Sequence, residues 1–338
     1  MSTIRECPYS GKRVIIAPNR LHRPFELSEK IANDDDIDLC PFEKDSRSCT
    51  PEEIFSIKDK NGEWITRVIP NRYHALSIEE EESSYTEGFF TYAKGLGAHE
   101  IIVETPLHNL RADQYTIDLY RIYLRTIISR IKDLKNDTRL KYIQVFKNHG
   151  LKAGATLKHP HSQIIATAFI PEKIDIQINR CREYYIKNGR SLLLDTVNEE
   201  LRAKKRIIYE NDTFVAFTPY ASSFAFEIMI SPKIQIHSLE AINTTEKIDL
   251  ARTLKSVFSA LYGLLGEFDY NIVFNNAPAV REHPRIDYFH HIQRFFTFNI
   301  KIVPRIYTIA GYELSSGLEI NPVTPESAAQ KLLKEMSR

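Results

Sequence analysis

Residues 151–166 read LKAGATLKHPHSQIIA, with His159, His161 and Gln163 at alternate positions. In an extended strand, side chains two apart point to one face. These three therefore line one face, while Pro160 and Ser162 face the other. Proline has no hydrogen to give a sheet ladder, so it marks an edge position or a strand start. The run IIATAFI (164–170) continues as a buried strand. The stretch predicts a polar site on one face of a strand, fed by a loop containing glycine.

The loop NHGLKAGAT (148–156) supplies Asn148, Gly150, Gly154 and Thr156. Glycines let the backbone approach a ligand closely, and backbone N–H groups with a hydroxyl suit phosphate oxygens. A neutral imidazole beside such a loop can attack phosphorus and hold it as a phosphoramidate. That makes His161 the candidate nucleophile. Gln163 cannot deliver a proton, but its amide can donate a hydrogen bond to a non-bridging phosphate oxygen. The pattern suits a leaving group that is already good, such as a sugar phosphate or nucleotide phosphate.

Two stretches of the chain follow one plan. HEIIVETPLHNL (99–110) precedes a helical segment (113–134) and the strand YIQVFKNHG (142–150). FEIMISPKIQIHSL (226–239) precedes a second helical segment (245–268) and YNIVFNNAP (270–278). Apolar residues at helical spacing support both helices: Ile117, Leu119, Ile122, Leu124, Ile127, Ile128 and Ile131, then Leu250, Leu254, Val257, Phe258, Leu261 and Leu264. A further strand closes each copy, HPHSQIIATAF in the first and TFNIKIVP in the second, so Thr297 and Asn299 fall where the first has His159 and His161. The expected fold class is α+β, with two tandem halves, each an antiparallel sheet with a long amphipathic helix. The halves are expected at 1–185, carrying the active-site strand, and 186–338, without catalytic histidines. They form one continuous sheet or lie side by side.

Hydrophobic residues make up 43% and charged residues 26% of the 338, a balance typical of a globular protein with room for a sizeable core. The net charge of +1 offers no bulk attraction for nucleic acid or a membrane surface. No apolar run approaches the roughly 18 residues of a transmembrane helix, and the N-terminal residues lack a signal peptide's apolar core. Four cysteines (Cys7, Cys40, Cys49, Cys181) are too sparse for a disulfide framework, so a reducing, cytoplasmic setting is expected.

LCPFEKD (39–45) spaces Cys40 and Glu43 like a zinc knuckle whose second ligand is a carboxylate. His108 and His159 would complete a tetrahedral set of permitted zinc ligands. Cys49 in place of Glu43 remains open.

The motif GATLKHPHSQIIA resembles the active-site motif of galactose-1-phosphate uridylyltransferases, in the histidine-triad superfamily. GKRVIIAPNRLHRP (11–24), VIPNRYHAL (68–76), GAHEIIVETPLH (97–108), FVAFTPYASSFAFEIMISPK (214–233) and AGYELSSGLEINPVTPESAA (310–329) extend the resemblance over nearly the whole chain. It implies a double displacement in which His161 takes a uridylyl group from UDP-glucose, expelling glucose 1-phosphate, and passes it to a hexose 1-phosphate, galactose 1-phosphate in the family. By the same resemblance, Gln163 holds the transferred phosphate and Arg20 and Arg23 contact phosphate. Asn71 contacts the nucleotide; Asn148, Gly154 and Thr156 form the phosphate loop; Tyr312 and Glu313 lie in the sugar-side segment. Cys40, Glu43, His108 and His159 fall on the four zinc positions, one zinc per chain, and a homodimer is implied. Related adenylate-carrying enzymes, ADP-sugar or dinucleoside-polyphosphate phosphorylases or adenylyltransferases, share the H-x-H-x-Q chemistry and stand as the alternative; a non-catalytic nucleotide-binding protein is the third reading. Glu43 departs from the usual cysteine, and Cys7 stands where aspartate is usual. Ser191, Leu194, Thr297 and Asn299 replace the ligands of a second metal site found in related members, so no second metal is expected.

Overall fold

The computed structural model describes residues 3–6, 13–16, 40–43, 50–279 and 291–337. The strands β1 (Thr3–Glu6) and β2 (Arg13–Ile16) pair antiparallel. The first half then runs β3 (Phe55–Lys58), β4 (Trp64–Pro70), a hairpin of β5 (Tyr85–Glu87) and β6 (Phe90–Tyr92), and β7 (Gly97–Val103). Helix α1 (Ile117–Leu134) and strands β8 (Tyr142–His149) and β9 (His161–Thr167) complete it. Two helices follow, α2 (Glu172–Asn188) and α3 (Leu192–Ala203). The second half repeats the plan: β10 (Ile207–Glu210), β11 (Phe214–Phe217), β12 (Ile228–Pro232), α4 (Thr244–Leu265), β13 (Tyr270–Asn275) and β14 (Asn299–Pro304). Strand β15 (Glu319–Asn321) lies parallel to β2, and a helix over Pro325–Met336 follows.

Of the two arrangements the repeat allows, the structure has the continuous sheet. Its ten strands run β10-β11-β12-β14-β13-β8-β9-β7-β4-β3. Read from each outer edge, the order is β3-β4-β7-β9-β8 in one half and β10-β11-β12-β14-β13 in the other. The halves meet where β8 and β13 pair antiparallel, from Tyr270 opposite His149 to Phe274 opposite Val145. Residues 185 and 186, the expected join, both fall within α2.

Both long helices pack on one face of this sheet. Thr116 caps α1 by accepting from the Leu119 N–H. Asn243 and Glu246 form a capping box on α4, each side chain accepting from the other's backbone N–H. The buried stripe of α1 is Tyr120, Tyr123, Leu124, Ile127, Ile128 and Ile131, while Ile117 is 39% exposed. Tyr120 and Tyr123 thus enter a stripe that the apolar pattern had drawn from isoleucine and leucine alone. Leu250, Leu254, Val257, Phe258 and Leu261 of α4 join α1 in one core across both halves. Tertiary burial outweighs the modest helix propensity of the isoleucines in α1.

The opposite face differs between the halves. In the second half, Ile178 and Cys181 of α2 and Leu193 and Val197 of α3 pack on Val215, Phe217 and Met229. In the first half, that face carries the histidines.

Candidate active site

Strand β9 lies between β7 and β8, so it is central in the sheet. Pro160 therefore marks a strand start, and the ladder begins at His161 opposite Val103. The alternation holds. Ile164 and Ala166 point into the helix-side core, and the Ser162 hydroxyl meets the Tyr123 hydroxyl of α1 at 2.7 Å. His161 and Gln163 face the other way.

His161 is buried, 8% exposed, with its ring centroid 5.3 Å from that of Phe42. Its Nδ1 lies 2.8 Å from the His159 carbonyl. A carbonyl only accepts, so Nδ1 carries the hydrogen and Nε2 keeps its lone pair. Burial is the largest influence on this imidazole and lowers its pKa, with nearby Lys147 acting in the same direction. The group is a neutral, oriented imidazole, able to attack an electrophile.

Gln163 is oriented in turn. The Ala75 N–H donates to His99 Nδ1 at 3.1 Å, which puts the imidazole hydrogen on Nε2. That Nε2 donates to Gln163 Oε1 at 2.8 Å, leaving the Gln163 amide nitrogen to donate elsewhere. Asn71 lies beside this cluster, its Nδ2 3.0 Å from the same His99 nitrogen, a contact between two donors rather than a hydrogen bond in this tautomer. His99 was missed from the sequence. Its position two before Ile101 on β7, which pairs with Gln163, is a signal that only the register reveals.

On the helix side of β9 lies a buried charged group. Glu104 follows β7 and accepts from Lys147 of β8 at 2.6 Å and from the Tyr115 hydroxyl at 2.7 Å. Its other oxygen accepts from Ser162. The carboxylate thus reaches beneath the active strand from one neighbour to the other. Burial pushes the Glu104 carboxyl up, but the charge and hydrogen bond of Lys147, with Ser162 and Tyr115, hold it below its ordinary range. Such a pair is costly to break on one side, about 3–5 kcal/mol.

The loop before β9 differs from expectation in one respect. The N–H groups of Ala153, Gly154 and Ala155 bond carbonyls of Gly150 and Leu151, and that of Lys152 bonds the Asp269 carboxylate at 2.7 Å. A tight turn at 151–153 uses the backbone donors expected to meet a phosphate. Side-chain donors remain, from Asn148, Gln163 and the exposed Thr156. Gly154 adopts φ +86°, a conformation that favours glycine.

Cys40, Glu43, His108 and His159 come together, with one ligand atom from each all within 4.8 Å of one another. Cys40 Sγ is 3.8 Å and Glu43 Oε1 is 3.2 Å from His159 Nδ1. Glu43 Oε1 is also 2.6 Å from His108 Nδ1. His159 Nε2 donates to the Thr105 carbonyl at 2.8 Å, which leaves its Nδ1 lone pair facing the group. Around zinc, with bonds of about 2.0–2.3 Å in a tetrahedron, ligand atoms sit roughly 3.3–3.8 Å apart. The residues fit such an ion. Cys49, Arg20 and Arg23 lie outside the described residues, as does Cys7.

Tyr312 and Glu313 lie on a short helix over Gly311–Ser316, with Tyr312 51% exposed. Glu313 lines a small cavity with Ser223, Phe224 and Tyr307. Neither side chain bonds His161, Gln163 or the loop. Where the second half has the counterparts of the metal ligands, Ser191 and Thr297 hydroxyls lie 2.7 Å apart and Thr297 donates to Gln235 at 3.0 Å. Asn299 accepts from Asn275 at 2.8 Å.

Two family models match. One described as the N-terminal domain of galactose-1-phosphate uridyl transferase matches residues 1–171, and one described as its C-terminal domain matches 177–338. An ADP-glucose phosphorylase of Arabidopsis thaliana is 29% identical over 343 residues, covering 99% of this chain and 93% of that protein. A galactose-1-phosphate uridylyltransferase of Thermotoga maritima is 30% identical over 271 residues, covering 78% of this chain and 82% of that protein. The crystal structure of an Arabidopsis thaliana ADP-glucose phosphorylase with bound ADP-glucose superposes with a TM-score of 0.84 at 27% identity, over 99% of both chains.

Proposed function

The chain belongs to the galactose-1-phosphate uridyl transferase family, and on that premise we propose that it transfers a uridylyl group from UDP-glucose to a hexose 1-phosphate by way of His161. The observation that carries the reading is the His161 ring, hydrogen-bonded at Nδ1 and bare at Nε2. In the first half-reaction, Nε2 forms a bond to the α-phosphorus. The bond from that phosphorus to the bridging oxygen breaks, and its electron pair leaves on glucose 1-phosphate. In the second, a phosphate oxygen of the acceptor attacks the same phosphorus and the N–P bond breaks, restoring the imidazole. No proton need reach the leaving group, which is already a stable phosphate. Gln163 donates its amide hydrogens to the non-bridging oxygens in both steps, and Asn148 and Thr156 add donors from the loop. Gly154 keeps that approach open. Arg20 and Arg23 supply positive charge to the phosphates, and Asn71 meets the nucleotide.

We assign zinc to Cys40, Glu43, His108 and His159. When bound, the ion holds the chain at His159, two residues before the nucleophile. A cytoplasmic setting keeps the Cys40 thiol reduced for that bond. The protein acts as a homodimer in this reading, and Tyr312 and Glu313, unbonded to their own His161, serve the partner's sugar site. The halves divide at 185/186, with the chemistry in the first.

A second reading takes adenosine as the base and inorganic phosphate as the acceptor. The likeness over 99% of both chains to the phosphorylase crystallised with ADP-glucose favours it. Intact mass after incubation with UDP-glucose or ADP-glucose, in separate tubes, decides between them. A uridylyl adduct on His161 supports the first reading and an adenylyl adduct the second. No adduct with either donor overturns covalent catalysis by His161.

A further inference from the structure

The second half has no histidine on β14, yet two of its side chains hold the loop that leads into β9. Asp269 accepts from the Lys152 N–H at 2.7 Å. A β-carbon on Gly150 would come within 2.0 Å of the Asp269 carboxylate, so glycine there, at φ +82°, lets the carboxylate lie against the turn. Asn271 of β13 registers opposite Asn148 of β8. Its Nδ2 donates to the Ala153 carbonyl and to Asn148 Oδ1, each at 2.9 Å.

These bonds have one consistent sense. The Ala153 carbonyl only accepts, so the nitrogen of Asn271 faces it. That same nitrogen then offers its second hydrogen to Asn148, which answers with its oxygen. Asn148 is left with Nδ2 turned away from Asn271, and no described residue accepts from it. The space beside it is open. A β-carbon on Gly154 would have Asn148 Nδ2 as its neighbour at 3.8 Å, with nothing else within 4 Å. Asn148 also lies two residues past Phe146, which pairs with Gln163, so this donor lies on β8 toward the His161 end of β9.

We propose that Asn271 is a positioning residue for the reaction. It fixes the Asn148 amide with its NH2 directed at the transferred phosphoryl group, so the half without catalytic histidines sets the polarity of a donor in the other half's site. The inference rests on the reading of His161 as the nucleotidyl acceptor. Asn271→Asp offers only acceptors. It draws the Asn148 NH2 to itself and turns the Asn148 oxygen toward the phosphate, where like partial charges repel. Asn271→Ala leaves Asn148 free to take either orientation.

The test is the single-turnover rate of nucleotidyl-His161 formation at saturating donor, measured well below each variant's melting midpoint. Losing one oriented donor costs on the order of 10²-fold. Asn148→Ala and Asn271→Asp are each expected to lose about that much, and Asn271→Ala about tenfold. The double variant Asn148→Ala/Asn271→Ala is expected to be no slower than Asn148→Ala alone, because Asn271 acts through Asn148. Multiplying losses in the double variant, or wild-type rates in both Asn271 variants, would overturn the inference. If Asn271→Asp fails to fold, the cycle of Asn148→Ala with Asn271→Ala decides. A wild-type protein that forms no adduct with UDP-glucose or ADP-glucose defeats the functional reading. A wild-type adduct with a multiplicative cycle defeats only the role of Asn271.

Discussion

Strands β9 and β14 occupy the same place in the two halves. Each lies inside its half, beside the strand that forms the seam, and each begins at the residue the repeat aligns, His161 in one and Asn299 in the other. Before β9 stands His159, turned to a thiol, a carboxylate and a second imidazole. Before β14 stands Thr297, bonded to Ser191 and Gln235. Beside Gln163 is His99 of β7, and beside Lys301 is Glu227, the residue before β12, 3.9 Å away. One backbone plan therefore supports reactive groups in one half and mutually satisfied polar groups in the other. The difference lies in what covers the face. Helices α2 and α3 close it in the second half, so any polar group there needs a protein partner.

The sharpest way to break the comparison is to give β9 the reactivity of β14. His161→Gly removes the nucleophile and leaves the strand. Loss of a covalent nucleophile costs on the order of 10⁴–10⁶-fold in turnover. Exogenous imidazole, occupying the vacated space, is expected to restore part of the rate. Ordinary turnover in the glycine variant, measured with whichever nucleotide sugar labels the wild type, would end the covalent mechanism.

Gln163→Ala tests the next difference. It deletes an amide whose oxygen His99 already holds. Both half-reactions are expected to slow by about 10²–10³-fold, the worth of one oriented donor to a transferring phosphoryl group. His99→Ala should give a smaller loss in the same steps, because Gln163 stays but its orientation is no longer set. If the two half-reactions run at wild-type rates in Gln163→Ala, the amide is a packing group and the contrast with Lys301 loses its meaning.

Much of this contrast was legible in the sequence, and the missing parts share one cause. Alternation placed His161 and Gln163 on one face, and spacing with resemblance assembled Cys40, Glu43, His108 and His159. His99, Glu104, Lys147, Asp269 and Asn271 escaped, because each acts across strands that are distant in sequence. Only the register brings Asn271 to Asn148 or Ile101 to Gln163. The expected use of loop N–H groups failed because a short turn can close on itself, which composition does not reveal. The fusion of both halves into one sheet depended on pairing of β8 with β13, which the repeat left open beside a side-by-side arrangement.

The metal cluster sharpens the comparison from the side of stability. With zinc present, chelation is expected to lower the melting midpoint by at least about 5 °C, at roughly 2–4 °C per kcal/mol for larger domains. The rate of the enzyme that stays folded should change less, since the ion holds His159 and takes no part at the phosphorus. Metal content and midpoint, measured for the wild type beside His108→Ala, check this. Near-zero zinc in both would show that Glu43 marks a lost site. Zinc retained in the variant would move the ligand set elsewhere, with Cys49 the first residue to test.

The last expected effect, small near neutral pH, concerns the seam. Strand β8 ends at His149, while β13 carries no histidine. His149 stacks on Tyr270 across the seam, centroids 4.7 Å apart, and burial, with Lys147 nearby, lowers its pKa from 6.5 to about 4. In the unfolded chain its pKa is near 6.5. The folded state thus favours the neutral ring, and its stabilising contribution is complete above pH 6.5. As pH falls from 6.5 toward 4, the unfolded chain takes up a proton that the folded one refuses, and stability drops. The full difference has a ceiling of about 3.4 kcal/mol, at 1.36 kcal/mol per unit, and only part of it is reached at pH 5.5. His149→Phe keeps the stack and removes the titration. Denaturant midpoints at pH 7, 5.5 and 4.5 should fall more steeply for the wild type than for the variant. Parallel slopes would mean that acid acts on the first half through other groups, and that the seam titrates no differently from the sheet around it.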